Sequence, residues 1–260
     1  MDRLRLGIGW IYLALGYGFI YLPVVILVLF SFTSRNIPLP PFEGPSLQWY
    51  ERIFSNERMV DAFVNSVVLA ASSSLVATVL GFLGAYGVAR YATRWEGVVR
   101  YAIMAPITVS YLIVGMGLLV TFHVVGIPKS LWSVGVGHVV INLPLCFAII
   151  LAGLGEHQRH IERAAHDLGA SDLQALLRVT VPMTRPSLLA AYCLSFTLSW
   201  DEFIIAFFLT RFEVTLPVML FELLRGGSSP ELNAAGSVVF GASMGLVLLA
   251  IALALRWRSN

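Results

Sequence analysis

Residues 7–32 form a run of 26 positions without one charged side chain. A helix rises 1.5 Å per residue, so this run is long enough to cross the roughly 30 Å hydrocarbon layer of a bilayer. Further apolar stretches follow at about residues 63–89, 102–122, 131–154, 187–209 and 234–255. Only 12% of the chain is charged, against about 25% in soluble domains. That leaves too little polar surface to cover a soluble fold, and mean hydropathy is +0.81. The reading is an all-α membrane protein, one domain over residues 1–260 with six transmembrane helices. The first run is too long for a signal-peptide core and lacks a small-residue cleavage site, so it is expected to be retained.

The longest polar interruption is residues 156–186, EHQRHIERAAHDLGASDLQALLRVTVPMTRP. Ile161, Ala164, Ala165 and Leu168 recur at spacings of three and four, with Arg159, Arg163 and Asp167 on the opposite face. This predicts a helix, and Gly169 is placed to stop it. Ser171 with Gln174 three residues on reads as a capping box for a second helix over 172–179. Pro182 and Pro186 are expected to end that helix.

Arg163-Ala164-Ala165, then Gly169, then Val179-Thr180-Val181-Pro182 resemble the EAA loop of ABC-importer permeases. That pattern is E-A-A, three residues, Gly, nine residues, then I-x-L-P, and the spacing matches throughout. Arg163 stands where the pattern has Glu, with Glu162 beside it. The resemblance implies a type I ABC importer permease fold whose cytoplasmic EAA coupling loop docks into a groove on a separate ATPase subunit. The coupling residues it implies are Glu162, Arg163, Ala164, Ala165, Asp167, Gly169, Ala170 and Pro182. The implied partners are a second permease, two ATPase subunits and a solute-binding protein, in a bacterial cytoplasmic membrane. No cofactor is expected on this chain; ATP and Mg are used by the partner ATPase.

Six spans would put both termini on one side, and positive charge decides which. With the termini inside, the inner segments hold 11 of the lysines and arginines and the outer segments hold 6. Both termini and the 156–186 loop are therefore expected in the cytoplasm. Residues 33–61 form a proline-rich outer loop containing Pro38, Pro40, Pro41 and Pro45, with Trp49 and Tyr50 suited to a membrane–water interface. Gly81, Gly84 and Gly87 in the second span, and Gly241 and Gly245 in the sixth, suit close helix contacts within the chain or with a partner. Asn142 with Pro144 suggests a kink lining a cavity, and Pro106 suggests one more weakly.

Trp200-Asp201-Glu202 places two carboxylates inside an apolar span, at roughly 2.5–3.5 kcal/mol each on insertion scales. Consecutive helical residues point about 100° apart, so one acid is expected to line a path and the other to pair with a neighbouring helix. The alternative is a satisfied buried or interfacial pair. Phe203, Phe207 and Phe208 could form aromatic walls for a cation. Leu194 to Phe203, Leu216-Pro217, Ser229 to Ala234 and the Asp167 to Ser171 run are similar to the second permease of the spermidine/putrescine importer group. The resemblance implies a polyamine as solute, with Trp200, Asp201, Glu202, Phe203, Tyr111 and Asn142 on the translocation path. Members of that group often carry Pro-Glu or Pro-Asp early in the third span, where this chain has Ser110-Tyr111. Related permeases import opines, phosphonates, thiamine and similar small solutes.

Other classes fit less well. His157 and His160 have the i, i+3 spacing of a metal pair but no third ligand in register, so no metal site is assigned. His138 has no serine on its own helix face and reads as a hydrogen-bonded packing residue. No G-x-x-x-x-G-K-[ST] sequence occurs, so the chain is read as a non-catalytic subunit. A stand-alone channel or carrier would be expected to mirror Asp201-Glu202 in its first half, and no such acid pair is there. No basic tract suggests nucleic acid. Cys146 and Cys193 lie in apolar runs and read as small buried hydrophobes.

Overall fold

The computed structural model describes residues 2–36, 42, 44–91, 95–227 and 229–258. Pro38, Pro40, Pro41 and Arg94 lie outside the described residues, as do the side chains of His157 and of the basic residues at both ends. Among the described residues all regular structure is helical, beside one isolated bridge between Thr33 and Pro45. In chain order the helices are α1 (Asp2–Ser31), α2 (Gln48–Ser55), α3 (Glu57–Arg90), α4 (Glu96–Met104), α5 (Tyr111–Val125), α6 (Leu131–Gly153), α7 (Glu156–Asp167), α8 (Asp172–Ala175), α9 (Val181–Trp200), α10 (Ile204–Leu209), α11 (Leu216–Arg225) and α12 (Pro230–Arg258). Among the described residues three helices are long and apolar enough to cross a membrane: Tyr12–Ser31 within α1, then α3 and α6. The α4–α5 pair makes a fourth when taken as one broken span.

Three expectations change. The third span is not one helix: α4 and α5 meet at a 104° bend through a 3-10 turn, Ala105–Thr108. Pro106 has no N–H for an α-helical ladder, and Val109 is already extended (φ −104°, ψ 136°). The prolines do not end the second loop helix either. A π turn over Leu176–Thr180 joins α8 to α9, with the Val181 N–H bonding the Leu176 carbonyl, and the helix runs on through Pro182 and Pro186. Pro182 directly follows the π turn, as an early residue of α9. The fifth span breaks after Trp200, at the acidic pair.

The chain packs as two compact units. The first comprises residues Met1–Val60 and Met219–Leu246. Here Trp49 is buried rather than interfacial, and its Nε1 donates to the Thr33 carbonyl at 2.7 Å. The Tyr50 and Ser31 hydroxyls lie 2.7 Å apart, so both aromatics fasten α2 to the end of α1. The apolar span of α1 is itself unburied. Gly236 of α12 faces Leu27 of α1, 3.2 Å from where a Cβ would sit. A Cβ added at Gly241 or Gly245 would meet nothing within 4 Å among the described residues.

The second unit comprises residues Asp61–Val218 and Val247–Asn260. Its core is a seam of α3, α6 and α9 built from Ala77, Phe82, Ala85, Cys146, Phe147, Ile150 and Ala191. Small residues let these backbones approach: a Cβ on Gly81 would lie 2.8 Å from the Cys146 Cβ and 2.9 Å from the Phe147 nitrogen. Cys146 is buried and Cys193 half-buried, both as free thiols. Pro144 is buried and α6 is helical across it.

Candidate functional site

The loop between α6 and α9 is fixed by local chemistry at its turn and by a distant clasp at its base. At the turn, Gly169 takes φ +88°, which costs glycine nothing. The Gly169 N–H reaches the His166 carbonyl at 2.8 Å and the Ala170 N–H reaches that of Ala165 at 3.0 Å. These two bonds close α7 as a Schellman motif. The capping box follows as expected. The Gln174 N–H donates to Ser171 Oγ at 3.4 Å, and the Ser171 N–H donates to Gln174 Oε1 at 3.1 Å.

The clasp centres on Glu162. Arg90, the last residue of α3, donates from Nε to Glu162 Oε2 at 2.6 Å and from Nη2 to Oε1 at 3.0 Å. Thr180 donates its hydroxyl to Oε1 at 2.8 Å. Glu162 is 5% exposed. A carboxylate buried this deeply needs its charge matched and its lone pairs filled, and a two-pronged guanidinium with a hydroxyl does both. Glu162 thus joins α3, α7 and the start of α9. Arg163, at the motif's acidic position, points outward with Ala164 and Asp167, while Ala165 and Ala170 are half-buried.

The outward face also differs from the periodicity reading. Ala164 and Leu168 belong to the apolar stripe, yet Leu168 is 90% exposed. Leu173 and Leu177 are exposed as well. Helical spacing marks an apolar stripe, without saying whether the chain itself buries it. Three exposed leucines therefore surround a rigid turn.

The second cluster lies at the break in the fifth span. Asp201 and Glu202 are not on a helix, so the 100° argument does not apply. Glu202 is buried, and its carboxylate accepts from the Ile205 N–H at 3.0 Å and the Ala206 N–H at 3.2 Å. It is the side-chain cap of α10. His138 of α6 places Nε2 3.3 Å from Glu202 Oε2 and Nδ1 2.6 Å from Ser199 Oγ. Ser199 in turn lies 3.0 Å from Ser73 Oγ of α3. His138 is thus the hydrogen-bonded packing residue expected, though its serine comes from another helix. An acid three residues before an apolar turn was the signal in the sequence for the cap; nothing local pointed to Ser199 as the partner of His138.

The six expected path residues do not gather at one surface. Trp200, Glu202 and Asn142 are buried, Phe203 is half-buried, and Asp201 and Tyr111 are exposed. Trp200 meets Phe63 of α3 edge-on at 5.3 Å, and Phe203 lies against Phe207 at 5.4 Å. Asn142 lines neither of the two cavities described next. A groove of about 580 Å³ instead opens where α3 and α6 diverge, lined mainly by valines and leucines, with Asn65, Ser72, Ser73, Trp132 and Glu213. Sequence reasoning singled out neither this groove nor a second cavity of about 450 Å³ beside Arg90, Glu96 and Arg100.

Residues 77–257 match the family described as binding-protein-dependent transport system inner membrane component. The chain is 32% identical over 235 residues to the spermidine/putrescine transport system permease protein PotC of Haemophilus influenzae, covering 90% of this chain and 91% of that one. It is 33% identical over 239 residues to the putrescine transport system permease protein PotI of Escherichia coli, covering 88% and 84%. Its fold is similar to a chain of a bacterial ABC transporter that imports the acidic polysaccharide alginate, with TM-score 0.70, 18% identity and 98% and 97% coverage. A structure of a bacterial alginate ABC transporter with its pentasaccharide-bound periplasmic protein gives TM-score 0.76 at 16% identity, covering 98% and 96%.

Proposed function

Because this chain belongs to the family of binding-protein-dependent transport system inner membrane components, an all-α group of permease subunits without catalytic chemistry of their own, we propose that it moves a polyamine inward as one half of an ABC importer. The relatives named for spermidine and putrescine, aligned over about nine-tenths of the chain, support that solute class. In this reading the chain crosses the membrane six times with both termini in the cytoplasm. The α4–α5 and α9–α10 pairs count as single broken spans. It pairs with a second permease and two ATPase subunits, and a solute-binding protein delivers to the outer loops around residues 33–61 and 210–232.

The observation that carries the reading is the rigid α7–α8 turn with Leu168, Leu173 and Leu177 exposed around it. An apolar, preorganised knob is what a groove on another subunit would grip. Arg163, Ala164, Asp167 and Gly169 lie on or beside that knob. Ala165 and Pro182 lie at its base, and Glu162 ties the base to two spans. A push on the knob would be delivered through Glu162 to the end of α3 and through the π turn to α9. Helix α9 ends at the Asp201 break, where a change of tilt would open or close a path. Alternating access follows if ATP binding drives the knob and hydrolysis releases it.

Asp201 is the acid left for a cationic solute, since Glu202 is engaged. The same machinery with an opine, phosphonate or thiamine is the second reading, favoured by Ser110-Tyr111 where the polyamine group often has an acid. The deciding experiment is ATPase activity of the reconstituted transporter, with its binding protein, against putrescine, spermidine, an opine, a phosphonate and thiamine. Stimulation by a polyamine supports the first reading. Stimulation only by an anion or zwitterion replaces the solute, while an ATPase that never associates with the chain overturns the function.

A further inference from the structure

The groove between α3 and α6 is lined by one continuous face of each helix. On α3 the lining positions are 65, 68, 69, 72, 73 and 76, and on α6 they are 131, 132, 135, 136, 139 and 140, the spacing of a single helical face. The two helices run parallel. A Cβ on Gly135 would lie 3.4 Å from Leu69, and one on Gly81 would lie 2.8 Å from the Cys146 Cβ, so position 69 is level with 135 and 81 with 146. Asn65 is therefore level with the first turn of α6, which carries Trp132. From Asn65 to Val76 the groove runs about 16 Å.

Its two ends differ in chemistry. Asn65 donates from Nδ2 to the Val214 carbonyl at 3.1 Å, and the Leu216 N–H donates to Ser66 Oγ at 2.7 Å. These bonds hold residues 214–216 against the start of α3, and Glu213 joins the lining there. Glu213 is exposed, with no ion pair or hydrogen bond among the described residues. Trp132, at the same end, is 87% exposed. Farther along, Val76, Val136, Val139 and Val140 make apolar walls, and Ser72 turns its hydroxyl onto the Val68 carbonyl. Asp201 does not line this groove.

Resting on the polyamine reading above, we propose that this groove receives the solute, with Glu213 and Trp132 holding an ammonium group at the mouth and the valines taking the methylene chain. A lone exposed tryptophan at a helix end is an interfacial anchor. One level with an unpaired carboxylate is half of a cage for a cation, the indole face adding to the charge attraction. A polyamine alternates ammonium groups with aliphatic chain, which fits an acid and an indole at one end and apolar walls beyond. A phospholipid seated with its head at the mouth would set its phosphate against Glu213, like charge against like. Glu213 and Trp132 are thus specificity residues separate from Asp201, at the end of the groove that meets the 210–232 loop.

The test uses the complete transporter with its binding protein, and reads spermidine and putrescine uptake per assembled complex. Glu213→Gln should lower kcat/KM about fivefold or more. Glu213→Asp should keep most of the native value, and Trp132→Phe should keep more than Trp132→Ala. Native uptake with all of these variants unchanged overturns the groove and leaves the polyamine reading standing. A native transporter that imports neither polyamine removes the reading and the groove together. Maps of the transporter held open to the outside should show elongated density between α3 and α6 only when spermidine is present. An acyl chain there with or without spermidine, or side chains of a partner subunit filling the groove, overturns the assignment.

Discussion

Arg90 grips Glu162 with two guanidinium nitrogens, at 2.6 and 3.0 Å, across 72 positions of sequence. The last residue of a long apolar helix is thereby welded to the first helix of the polar loop. Arg90→Ala leaves a buried carboxylate with only Thr180 and should cost about 3–5 kcal/mol. Arg90→Lys should recover only part of that, because an ammonium cannot form the fork. Thermal unfolding of the purified transporter checks both, and an unchanged Tm for Arg90→Ala would show that the pair is dispensable.

Gly169 stands at φ +88°, where a side chain costs about 1–2 kcal/mol. Gly169→Ala should weaken solute-stimulated ATPase activity while the protein still reaches the membrane, and Gly169→Pro should abolish it, since proline holds φ near −65°. Full stimulation in the proline variant would remove the turn from the coupling route.

Leu168, Leu173 and Leu177 are exposed, so changing all three to serine should shift the stability of the isolated permease by little, about 0.5 kcal/mol per site. The same variant should lose its ATPase subunit on co-purification. Retained ATPase would place the docking surface elsewhere.

Asp201 and Glu202 should separate cleanly. Asp201→Asn should raise the KM for a cationic solute about threefold to tenfold, equivalent to about 0.7–1.4 kcal/mol, with assembly intact. Glu202→Ala removes the cap of α10 and the acid facing His138, and should lower stability by about 1–3 kcal/mol. Uptake kinetics read the first and thermal melts the second; reversed effects would exchange their roles.

A Cβ at position 81 would lie within 3 Å of Cys146 and of the Phe147 backbone. Gly81→Leu should force α3 from α6 and cost about 1–3 kcal/mol or more. Gly87→Ala, with open space beside it, is the control, and equal Tm losses in the two would deny the close approach.

Local signals were legible in the sequence. Gly169 and the Ser171–Gln174 box settle a turn within a few residues, and the long uncharged run announces a spanning helix. Distant pairings were not legible. Neither the reach from Arg90 to Glu162 nor the one from His138 to Glu202 leaves a trace in spacing. Pro182 misled for a related reason: a proline stops a helix only when the preceding turn cannot widen, and here it widens. The acid pair misled because one carboxylate caps a short helix in the same stretch that looked like an unbroken span. The apolar stripe through Ala164 and Leu168 was legible as a stripe, but not that the fold leaves these two residues exposed.

The widened turn over Leu176–Thr180 sets a phase. A π turn holds one residue more than an α turn, and each residue turns the helix by about 100°. Every side chain of α9 downstream is therefore rotated by that one surplus position. The stripe Ala191, Ser195 and Ser199 faces α3 and α6 because of it. If the surplus residue were absorbed, the Val181-to-Leu176 bond would give way to α-type bonds, and α9 would roll that stripe out of the seam and turn the next row of side chains inward.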